Sequence, residues 1–126
     1  MNKEIKLVLV LSSFFLFLAV LLGAFGAHVL EAKLSVKALK TFDTGVKYQF
    51  YHGLALIILA TLHTSVVQIK PKWTYRLFIV GIVLFSFNCY LYAFTGIKVV
   101  AMIVPLGGFA FLFGWLNMTY RFWKDL

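Results

Sequence analysis

Polar and apolar positions divide this chain into four long apolar runs joined by charged connections. The runs cover residues 7–30, 50–69, 77–94 and 99–120, and none contains Asp, Glu, Lys or Arg. A hydrocarbon layer about 30 Å thick takes roughly 20 apolar residues per helix, so each run is long enough to cross a bilayer. The runs are continuous rather than alternating and too few for a closed barrel, which leaves helices as the elements that satisfy their own backbone. The expectation is an all-α membrane protein, four transmembrane helices in an antiparallel bundle, forming a single domain over residues 1–126. The first run also admits a cleaved signal peptide, with Ala24 and Gly26 as small residues near a cleavage point. Its apolar stretch continues past them, which favours an uncleaved span.

The longest connection, residues 31–49, separates into two faces at 100° per residue. Leu34, Ala38, Leu39, Phe42 and Val46 share one side, while Lys33, Lys37, Lys40, Asp43 and Lys47 share the other. That pattern predicts an amphipathic interfacial helix over about 32–47, lying on the membrane between helices 1 and 2.

Composition agrees with the pattern: 63% of the 126 residues are hydrophobic and 13% charged, against roughly 25% charged in soluble domains. The net charge of +8 would suggest nucleic acid in a soluble protein. Here the cations flank apolar runs and read as topology signals, so nucleic acid is excluded and membrane lipids are the expected partners. The termini and the connection between the second and third runs carry Lys3, Lys6, Lys70, Lys72, Arg76, Arg121 and Lys124, against Lys33, Lys37, Lys40, Lys47 and Lys98 on the other side. This bias points to both termini in the cytoplasm. Trp73, Tyr75, Arg76, Trp115, Tyr120, Arg121 and Trp123 fit anchors at the cytoplasmic interface. The single cysteine, Cys89, excludes an intrachain disulfide and a metal-binding Cys pair.

Polar groups inside spans are costly and point to function or to interhelical bonding. His28, Tyr48, Gln49, His52, Ser86, Asn88, Pro105, Gly107 and Gly108 fall in one leaflet if the runs are the spans. They outline a polar pocket in which a break at Pro105–Gly108 exposes backbone carbonyls. The competing reading is structural glue between helices. His28 and His52 also suggest a metal or haem pair, but two ligands without nearby Cys, Asp or Glu make a poor site, so no metal or cofactor is expected. Ala19, Gly23 and Ala27 on the first span, and Gly107, Ala110 and Gly114 on the fourth, form small-residue stripes for close helix packing, within one chain or in a homo-oligomer. No paired carboxylates, Ser-His-acid set or phosphate-cradling loop occurs, so no enzymatic activity is expected.

Gly-Ala-Phe-Gly-Ala-His at 23–28, Tyr48-Gln49 with His52, Phe85-Ser86, Thr95-Gly96, Pro-Leu-Gly-Gly at 105–108 and Gly114-Trp115 resemble the YgdD/YwdK family of small membrane proteins. The resemblance implies a four-helix protein of bacterial inner membranes, long catalogued as a domain of unknown function, and transfers no catalytic residues. Where the family resembles Phe-Ser-Gly-Ser, this chain has Phe85-Ser86-Phe87-Asn88, which puts tight packing or an open pocket there in question. The function expected is organisation of the membrane or of a partner membrane protein. The alternative is lipid, quinone or small-molecule binding or transport in the pocket of His28, His52 and the Pro105–Gly108 segment.

Overall fold

A computed structural model describes residues 1–66 and 68–126 of the chain. Four helices hold most of them: α1 (Lys3–His28), α2 (Val36–Ser65), α3 (Lys72–Thr95) and α4 (Lys98–Asp125), with a 3-10 turn at Leu30–Ala32 before α2. Among the described residues there is no strand. By length and composition, α1, α3 and α4 are each able to cross a membrane.

Local chemistry sets the helix ends. Asn2 accepts from the Glu4 amide at 3.0 Å, and Ser35 accepts from the Ala38 amide at 3.1 Å, so both caps satisfy a donor that has no partner within the helix. Gly96 takes φ of 65°, the left-handed conformation that closes α3 and turns the chain into α4.

The apolar stripe of residues 38–46 does not form a helix of its own. It is the first half of α2, a helix of 30 residues, and the separate interfacial helix over 32–47 is corrected to that extent. Phe42 is buried with Leu30 and Ala93, and Leu39, Val46 and Tyr90 pack around them. The stripe serves internal packing, which explains why it separates so cleanly from the lysines. The span expected over 50–69 is the second half of the same helix, which ends at Ser65, and residue 67 lies outside the described residues.

Glycines mark the close contacts between helices. Gly26 meets Phe42, Gly23 meets Val46 and Gly53 meets Leu16 between α1 and α2; Gly114 meets Phe78, Gly81 meets Phe111 and Gly107 meets Phe85 between α3 and α4. The stripe Gly107, Ala110 and Gly114 is buried, and both its glycines abut α3, so it packs within the chain. On α1, Ala19 is buried and Ala27 is exposed.

The expected break in α4 is also corrected. Helix α4 runs through Pro105 without interruption. The irregularity lies opposite, where Ile82–Phe87 of α3 winds as a π-helix. Gly107 sits against the backbone of Leu84 and Phe85 in that segment, so the distorted wall needs a residue without a side chain facing it. A Cβ at Gly107 would collide with backbone, whereas one at Gly108 would find Phe85 at 3.8 Å. Gly107→Ala should therefore cost about 1–3 kcal/mol, and Gly108→Ala should be neutral or stabilising by up to about 1 kcal/mol. Thermal unfolding of the two variants in detergent checks this, and equal melting temperatures would contradict it.

Candidate functional site: a polar centre around Gln49 and His52

Helix α2 carries Gln49 and His52 almost one turn apart, and both are buried. Gln49 Nε2 donates to the Phe15 carbonyl of α1 at 2.7 Å, and the Tyr90 hydroxyl of α3 donates to Gln49 Oε1 at 2.6 Å. A carbonyl only accepts, so the amide nitrogen must face Phe15 and the amide oxygen must face Tyr90. One side chain thus joins three helices.

The same logic fixes the imidazole. His52 Nδ1 lies 2.7 Å from the Tyr48 carbonyl and therefore carries the proton. Its Nε2 accepts from Trp115 Nε1 of α4 at 3.1 Å, since an indole nitrogen only donates. Neutral His52 with Nδ1 protonated satisfies both contacts at once. Its ring also stacks on Phe111, with centroids 3.6 Å apart and planes at 10°. Tyr48, His52, Pro105, Gly108, Phe109 and Trp115 then line a groove of about 390 Å³ between α2 and α4.

Of the pocket residues expected from sequence, Tyr48, His52, Pro105 and Gly108 meet in this groove. Gln49 belongs to the adjoining network. Ser86 and Asn88 lie at the π-helical segment, where Asn88 Nδ2 donates to the carbonyls of Leu84 (3.0 Å) and Val83 (3.4 Å), and Ser86 Oγ is buried without a hydrogen-bond partner. Gly107 is buried beneath it.

His28 does not join them. It is exposed at the end of α1. Because Gly26 faces Phe42, His28 is level with about residue 40 of α2, and His52 lies about 18 Å further along. The shared level expected for the two histidines assumed that α2 begins near residue 50. Among the described residues, no cluster of three or more His, Cys, Asp or Glu is present.

One expected anchor is also reassigned, whereas Trp115 keeps 47% exposure while it bonds to His52. Tyr75 is 2% exposed and donates to the Leu59 carbonyl at 3.2 Å, with His63 Nδ1 at 3.3 Å from its hydroxyl. Trp73, Tyr120 and Trp123 stay exposed, with Arg76 over the Trp73 ring, Lys124 over the Tyr120 ring, and Arg121 paired to Asp125 at 3.5 Å. Phe87 turns its edge to Phe15 of α1, centroids 6.1 Å apart; the bulk at this position is taken up by packing on α1.

The family described as "Protein of unknown function (DUF423)" matches residues 22–108. The chain belongs to the DUF423 family. DUF423 relatives agree along nearly the whole length: the UPF0382 membrane protein of Staphylococcus haemolyticus is 39% identical, covering 93% of this chain and 98% of its own. The UPF0382 membrane protein YwdK of Bacillus subtilis is 42% identical over 90% of this chain and 94% of its own, and the Haemophilus influenzae relative is 40% identical over 98% and 96%. The resemblance to the YgdD/YwdK family is therefore membership, and the chain is a DUF423 membrane protein. No solved structure matches it. The DUF423 match covers α2 and the π-helical segment and ends at Gly108, before Phe111 and Trp115 complete the polar centre.

Sequence reasoning missed Gly45, Gly53 and Gly81, whose missing side chains admit Tyr90, Leu16 and Phe111. Their signal was present as single small residues facing bulky ones across helices. Tyr90 was missed as well, being one aromatic among many.

Two outcomes follow for the centre. Nitrogen-15 NMR of His52 at neutral pH should show Nδ1 protonated and Nε2 bare, and the opposite tautomer would contradict the assigned contacts. Gln49→Leu strands the Tyr90 hydroxyl and should lower stability in detergent by about 1–2 kcal/mol; unchanged unfolding would show that the network carries no weight.

Proposed function

We propose that this DUF423 protein crosses the cell membrane four times as an antiparallel bundle, with both termini in the cytoplasm, and acts without catalysis to organise the bilayer or a partner membrane protein. The observation that carries the reading is the commitment of the central polar groups to one another. Both nitrogens of His52 and both ends of the Gln49 amide are engaged within the chain, so proton exchange with a substrate would first have to break one of these bonds. Helix α2 completes the set of four with its apolar second half, while in its first half Asp43 pairs with Lys47 at 2.9 Å, which lowers the cost of two of its charges near the membrane. The outer faces of α1 and α4 present Phe14, Phe17, Val20, Phe109, Leu112 and Leu116, surface that suits acyl chains or a neighbouring helix.

A second reading, a small lipid-soluble ligand in the groove of Tyr48, His52 and Trp115, draws on the groove's volume, which lies in the roughly 300–1,000 Å³ range of ligand sites.

The two readings part in one experiment. In a deletion strain, a folded His52→Phe, Trp115→Phe double variant should restore membrane integrity as well as wild type, because it keeps the bundle's shape while removing the groove's polar atoms. Failure to complement at normal abundance would favour the ligand site, and turnover of a defined substrate by the purified protein would overturn the non-catalytic reading.

A further inference from the structure

A second groove, of about 460 Å³, opens where the end of α1 meets the start of α2. Gly23, Ala27, Phe42 and Val46 make its apolar floor, and Glu31, Lys40 and Asp43 are its charged lining at the rim, Asp43 being already paired with Lys47. Gly23 keeps the floor open, for the nearest atom to a Cβ there is Val46 Cγ1 at 3.4 Å. Among the described residues the ion pairs are Asp43 with Lys47 and Arg121 with Asp125. Lys40 and Glu31 are thus one cation and one anion at the same rim, each without an ionic partner among those residues.

The α1 side of the floor belongs to the charge-free stretch of that helix, and Glu31 on the rim is the first charge beyond it. A wholly apolar occupant would leave the rim unanswered, and a wholly polar one would leave the floor dry. An amphiphile answers both. Its head must offer one negative and one positive group, the second with N–H donors for a carboxylate.

We infer that this groove binds a glycerophospholipid with a phosphoethanolamine headgroup, its phosphate at Lys40, its ammonium at Glu31 and one acyl chain along Gly23, Ala27 and Val46. A glycerol headgroup supplies no cation for Glu31, and a choline headgroup supplies no N–H. The site gives the organising role a particular lipid and rests on that role only for its place in the membrane.

Native mass spectrometry of the full chain in detergent, with phospholipids of identical acyl chains and ethanolamine, glycerol or choline headgroups, tests it. The ethanolamine lipid should be retained about tenfold better than the choline lipid, and Lys40→Gln and Glu31→Gln should each reduce that retention about fivefold. Ala27→Phe, a change at an exposed position of the floor, should abolish retention while circular dichroism stays unchanged. Equal retention of the three lipids overturns the site, as does preference for the glycerol lipid or indifference to all three substitutions. Such a result leaves complementation of the deletion strain untouched, so the lipid site and the organising role fail separately.

Discussion

Gln49 sits at 0% exposure and hydrogen-bonds both to the helix before it and to the helix after it. In a hydrocarbon solvent no water is at hand to replace either bond, so a buried amide restricts its neighbours to arrangements that present one acceptor and one donor at the right places. The Phe15 carbonyl and the Tyr90 hydroxyl meet that demand. The same helix reaches α4 through His52 and Trp115 and reaches α3 again where Tyr75 donates to the Leu59 carbonyl. Helix α2 therefore forms hydrogen bonds to all three of its neighbours, although α4 packs mainly against α3, and these bonds account for the polar residues in its second half.

Association in lipid draws little on hydrophobic burial, so contact quality matters more than apolar area. Glycines supply that contact here. Gly45 admits Tyr90 from α3, and without that approach the Tyr90 hydroxyl could not reach Gln49; Gly81 admits the Phe111 ring that stacks on His52. The polar bonds and the glycine contacts depend on each other. The π-helical segment belongs to the same arrangement, since Asn88 donates to the Leu84 and Val83 carbonyls within it and Gly107 of α4 lies flat against it.

Much of this was legible from residues alone. Charge-free runs mark α1, α3 and α4 because a continuous apolar stretch has few other uses. Helix α2 was read as two pieces, since hydropathy falls where Lys37, Lys40, Asp43 and Lys47 occur while helical periodicity continues through them. That one boundary carried His28 into the wrong group, because the level of His52 depends on where α2 begins. Tyr75 reads as an interface anchor on the strength of nearby basic residues, although an aromatic ring with a polar tip serves equally well as a buried donor. Tyr48, Gln49 and His52 were found because polar residues stand out in an apolar run. Their partners were not, because a backbone carbonyl such as that of Phe15 leaves no mark in sequence.

The central claim is that α2 is one unbroken helix that hydrogen-bonds to the other three. Spin labels at Val36 and Ser65, both exposed, measure it by pulsed electron resonance in lipid nanodiscs. A continuous helix places their backbones about 44 Å apart. A distribution centred near that value supports the account. One centred below about 35 Å would mean that the helix bends into a surface segment and a shorter span, which would contradict the account.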